Sequence, residues 1–102
     1  MKKAIYIAIF LLFSSLSFAT NNPTLGQNYP NPATGTTYVN VDFNSGEATL
    51  TISNVLGKSV EVLTLTQPGK VKIDVKELIN GIYFLTLEAD GDKITKKMTV
   101  KK

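Results

Sequence analysis

Three sets of side chains in this sequence have types and spacings that chemistry could use. Asp90 and Asp92 flank Gly91, and two carboxylates so placed offer hard oxygen ligands to a cation such as Ca²⁺. Nothing nearby in the sequence supplies the remaining ligands, and Asp-Gly is also the favoured composition of a tight hairpin. We read it as a turn. Asp42, Asp74 and Glu88 form the second set, since paired carboxylates carry out glycoside hydrolysis. Each falls on the polar phase of an alternating segment, where acids are usually solvated. The third set is basic: Lys93, Lys96, Lys97, Lys101 and Lys102. Nucleic-acid sites place aromatic platforms beside such lysines, and no aromatic follows Phe84. Lysines on a terminal strand also guard an exposed edge against self-pairing. No nucleic-acid partner is expected.

What is missing narrows the function further. The 102 residues include no His, no Cys and no Trp. Disulfides, thiolate nucleophiles, zinc-thiolate sites and iron–sulfur clusters are therefore excluded, as are His-dependent triads and His metal ligands. Neither G-x-G-x-x-G nor G-x-x-x-x-G-K-[ST] occurs, so no phosphate loop is present. No catalytic residue, cofactor or metal site is expected.

The amino-terminal segment carries an address. Met1-Lys2-Lys3 precedes the unbroken apolar run Ala4 to Phe13, and Ser14 to Ala19 ends in small residues. Ser17 and Ala19 stand at −3 and −1 of a cleavage site between Ala19 and Thr20. Residues 1–19 thus read as a cleaved secretory signal peptide, because a membrane span needs about 18 or more apolar residues. Two lysines leave with it, which takes the formal charge of +3 close to neutral. The roughly 80 residues that remain bury only about 60–65% of their unfolded surface, a small domain that needs a well-packed core.

The elements that position these groups read as strands. Residues 20–35 hold Pro23, Pro30 and Pro32 among several Asn and Gly, a linker running into a turn, with Pro30 and Pro32 fixing an extended entry into the first strand. Residues 36–102 then break into short runs rich in Val, Ile, Thr, Tyr and Phe, separated by Gly, Asn and Asp. Val39, Val41 and Phe43 alternate with polar neighbours, and so do Ala48, Leu50 and Ile52, and Val71, Ile73 and Val75. Between Val62 and Leu63 the phase shifts, which points to a bulge or two-sided burial. Lys76 to Asn80 is compatible with one helical turn. Ile82 to Ala89 is nearly continuous and reads as a central strand covered on both faces. Ile94, Met98 and Val100 line one side of a final strand. The expected core is Val39, Val41, Leu50, Ile52, Val60, Ile73, Leu85 and Leu87. Strands at this spacing make a sandwich or a barrel, and periodicity does not choose between them.

The ordered motifs carry a resemblance. Gln27-Asn28-Tyr29-Pro30-Asn31-Pro32-Ala33, then Ile52-Ser53-Asn54-Val55-Leu56-Gly57-Lys58, then Leu78-Ile79-Asn80-Gly81-Ile82-Tyr83-Phe84, and a Lys-rich final strand follow one another. Together they resemble the type A carboxy-terminal sorting domain of the bacterial type IX secretion system, over about Leu25 to Lys102. The resemblance implies an immunoglobulin-like antiparallel β-sandwich of about seven strands. It implies a non-enzymatic signal that the outer-membrane translocon recognises and a sortase-like peptidase removes. The protein would then reach the cell surface or medium through the periplasm of a Gram-negative bacterium. The residues it offers for recognition are Tyr29, Pro30, Asn31, Pro32, Gly57, Lys58, Gly81, Tyr83, Lys93, Lys97, Lys101 and Lys102. No membrane span after signal removal and a monomeric state are expected. Members normally carry a passenger, whereas here the signal meets the linker directly. The alternative is a small secreted β-sandwich that binds glycan or a surface, for which Tyr29 and Tyr38 are the exposed aromatics.

Overall fold

A computed structural model describes residues 22–102; the signal segment and the Ala19/Thr20 cleavage site lie outside the described residues. Seven strands follow in chain order: β1 (Thr24–Leu25), β2 (Thr36–Asp42), β3 (Ala48–Asn54), β4 (Ser59–Leu65), β5 (Gly69–Asp74), β6 (Gly81–Ala89) and β7 (Asp92–Val100). They form two antiparallel sheets, β1-β2-β5 and β4-β3-β6-β7. This is an immunoglobulin-like sandwich in which the fourth strand stays beside the third instead of joining the first sheet.

The two inner faces supply the core. Val39, Val41 and Ile73 from one sheet meet Leu50, Ile52, Leu85, Leu87, Met98 and Val100 from the other, and all are buried. Strict alternation in β2 and β3 places every second residue inward, so these strands follow the sequence pattern. β6 is central but not covered on both faces. Its burial alternates, with Tyr83, Leu85, Leu87 and Ala89 inside and Ile82 exposed. The apolar run therefore continues onto an open surface.

Val60 is the one expected core residue that is not buried. It is 40% exposed. Ile52 pairs with Glu61 and Ser53 with Ser59, which leaves Val60 as the extra residue of a bulge on β4. The irregularity thus lies two residues before the phase shift, and of the apolar residues of β4 only Leu63 and Leu65 pack against the core. Residues 76–78 form a turn closed by the Leu78 N–H to the Val75 carbonyl, not a helical turn.

Both edges of the larger sheet carry a charge on the inner face. Glu61, Ile52, Leu85 and Lys96 form one cross-strand row, apolar in the middle and charged at each end. An inward-facing charge on an edge strand discourages addition of a further strand.

Candidate functional site

The lead-in to β2 crosses from one sheet to the other. Leu25 pairs with Val41, the Gly26 N–H donates to Asn40, and Tyr29 exchanges two backbone hydrogen bonds with Tyr38. The chain then bends through Pro30 and Pro32, both with cis peptide bonds, and runs alongside the end of β7. Ala33 donates to Thr99 and accepts from Lys101, and the Thr99 N–H donates to Asn31 Oδ1. Pro30 and Pro32 thus sit in the bend itself instead of fixing an extended entry into the first strand.

Side chains of the first motif fasten this crossing. Gln27 Nε2 donates to the Lys97 carbonyl and to Asn28 Oδ1, both at 2.8 Å. Asn28 Nδ2 donates to the Pro30 carbonyl and to Thr37 Oγ1, and the Thr37 hydroxyl donates to the same carbonyl. Asn28 and Thr37 are buried, and among the described residues no buried side-chain polar atom lacks a partner. A closed polar network in a small core favours one arrangement of the segment over others. Sequence reading missed both Asn28 and Thr37, because a buried polar side chain has no signature in hydrophobic periodicity.

The second motif builds the β3–β4 hairpin. Asn54 Oδ1 accepts from the Leu56 and Lys58 N–H groups, the Asn54 carbonyl accepts from Gly57, and Gly57 has φ +84°. A three-residue loop of this kind ends in a left-handed residue, which Gly supplies without strain. Val55 and Leu56 are thereby held out in solvent, Leu56 at 89% exposure.

The third motif opens β6. Tyr83 is buried, and its hydroxyl donates to the Ile79 carbonyl at 2.7 Å, a tyrosine corner of the kind immunoglobulin-type sandwiches use at this strand. The corner holds the loop so that Ile79 points outward at 80% exposure. Lys102 closes the same end, its N–H donating to Asn80 Oδ1 and its Nζ to the Lys76 carbonyl.

All of these pieces meet at one end of the sandwich, where β3 and β7 finish and β4 and β6 begin. A groove of about 200 Å³ runs between the hairpin and the loop, lined by Val55, Leu56, Ile79 and Ile82 over Tyr83. Of the expected recognition residues, Asn31, Gly57, Lys58, Gly81, Tyr83, Lys97, Lys101 and Lys102 belong to this half of the molecule, with Tyr29, Pro30 and Pro32 on its flank. Lys93 does not. It lies opposite Glu88 near the other end, where β6 turns into β7.

That other end holds the candidate cation site, and it is a turn. Asp90 and Gly91 have φ of 55° and 79°, as a two-residue hairpin loop demands. Asp90 accepts from the Asn44 N–H at 2.9 Å and the Ser45 N–H at 2.6 Å, tying the β6–β7 hairpin to the β2–β3 turn. The Asn44 bond holds its carboxyl below the usual value, desolvation opposes it, and Ser45 adds to the lowering. Among the described residues no acidic cluster could hold a metal. The Tyr29 and Tyr38 rings stand 6.1 Å apart, and Lys70 Nζ lies over the Tyr38 ring, 5.1 Å from its centroid.

Compared with known families, residues 27–101 match the secretion system C-terminal sorting domain. The chain belongs to that family. Membership marks it as carrying a type IX sorting signal, a class that is not catalytic and that directs export to the surface or medium of a Gram-negative bacterium. Recognition by the type IX machinery follows from the same assignment. The matched stretch starts at Gln27, the residue that fastens the sorting domain's lead-in to β7, and ends at Lys101, which closes that contact. A comparison with curated proteins found no match. No described helix is long and apolar enough to cross a membrane.

Proposed function

We propose that this chain is a secretion signal read in its folded form by the type IX translocon and removed afterwards by the sortase-like peptidase. The observation that carries the reading is the convergence of the sorting-domain motifs on one end of the sandwich. The middle of the chain spaces them widely, yet the fold gathers them around one groove and the carboxy-terminal lysines. In this reading residues 1–19 take the chain across the inner membrane, residues 20–35 form the lead-in, and the sandwich is the ticket for the outer membrane. The domain is a substrate and contributes no catalytic residue.

The test is transfer. Residues 20–102 are fused behind a periplasmic reporter in a host with a type IX system. The reporter should appear outside the cell, shortened by the mass of the domain. Export of the reporter with the domain still attached would contradict the peptidase step, and retention in the periplasm would contradict the whole reading.

A further inference from the structure

Among the described residues, six of the seven exposed large apolar side chains lie in or beside the β4-β3-β6-β7 sheet: Val55, Leu56, Val60, Val62, Ile79 and Ile82. Four of them line the groove at the motif end. Hairpin tips and loops of a small exported domain are ordinarily polar, and a concentrated apolar patch of this kind marks an interaction site. Nothing in the fold requires it, since Asn54 closes the hairpin through its own side chain and Tyr83 holds the loop through the Ile79 backbone. The side chains of Leu56 and Ile79 are free to serve something else.

The charges around the groove indicate what that is. Ile82 lies opposite Thr99 across β6 and β7, so Lys97 and Lys101, two residues either way, are its diagonal neighbours on the same face. Lys58 lies two residues beyond Leu56 in the same hairpin, and all three lysines are exposed. Glu77 is the carboxylate on the loop between β5 and β6. An apolar floor within a mainly basic rim complements an apolar segment flanked by acids.

We infer that the groove lined by Val55, Leu56, Ile79 and Ile82, with Lys58, Lys97 and Lys101 at its rim, docks an acid-flanked apolar segment of a protein of the export machinery. This rests on the sorting function proposed above and names the surface and partner chemistry for it. The apolar residues supply the anchor, and the lysines orient the approach and select against basic partners.

The experiment uses the reporter fusion with three double or single changes. Leu56→Ser/Ile79→Ser should lower the exported fraction about ten-fold or more, as loss of a central anchor does. Lys58→Glu/Lys97→Glu should do the same by repelling an acidic partner, whereas Lys72→Glu on the other sheet should export normally. Melts of the purified domains should coincide, since all these positions are exposed. Should the Leu56/Ile79 pair melt early, Leu56→Ser alone carries the test. Normal export of the apolar variant overturns the docking site while wild-type export still upholds the sorting function. Loss with the apolar variant but normal export of the lysine reversal overturns the acidic partner. A dimer of the purified domain that Leu56→Ser/Ile79→Ser dissolves would assign the groove to a second copy and overturn the inference. If the unaltered fusion stays in the periplasm, the sorting function fails first.

Discussion

Asn31 accepts, through its side-chain oxygen, the backbone N–H of Thr99, 68 residues further along the chain and 3.1 Å away. Together with the Ala33 bonds on either side, it covers the outer edge of the last strand where β7 would otherwise offer unpaired groups. The first motif of the sorting domain is therefore a strap across the last. An edge that is strapped does not add strands from other chains, which suits a small exported domain that must not aggregate.

The strap depends on Asn28. Asn28→Ala removes one donor pair and one acceptor from a buried network and leaves Thr37 and the Pro30 carbonyl short of a partner. The expected loss is about 1–3 kcal/mol, read from denaturant or thermal unfolding. A change well under 1 kcal/mol would show that the segment is held by its backbone bonds alone.

Core truncations should separate inner face from bulge. Leu85→Ala and Ile52→Ala, both fully buried, are expected to cost about 2–5 kcal/mol each. Val60→Ala, at an exposed bulge position, should fall within about 1 kcal/mol of wild type. Equal losses at all three would place Val60 in the core after all.

This contrast also shows what periodicity can carry. In β2 and β3 each apolar residue sits two from the next, and the structure buries them as that spacing requires. At Val60 the same spacing continues, but the bulge inserts one residue and turns the pattern outward. Composition cannot reveal that, because a bulge is decided by how β4 meets β3. The candidate site divides similarly. Gly57 and the Asp90-Gly91 turn were legible because positive φ has a residue preference, whereas the groove was not. Leu56 and Ile79 read as ordinary apolar residues until the hairpin and the tyrosine corner hold them outside.

Asp90 gives the fold a pH dependence of definite sign. Its folded-state pKa is lowered, so the stability it contributes is full above its unfolded value of about 3.9. It fades as the pH falls through the folded-state value. Asp90→Asn keeps a residue tolerant of positive φ and removes the titration. The variant should be less stable than wild type at neutral pH, and the gap should close in strong acid. Parallel stability curves across the acid range would contradict this.

Signal removal is tested on the exported chain itself. Mass spectrometry of its amino terminus is expected to find Thr20, as the Ser17-Phe18-Ala19 pattern requires. An intact Met1 on a membrane-held product would contradict the signal-peptide reading.

The most direct measurement of the central claim compares two strains carrying the same reporter fused to residues 20–102, one with a type IX system and one without. The reporter should be outside the cell in the first strain and in the periplasm in the second. Equal partition in the two strains would show that the folded sandwich is not a type IX sorting signal.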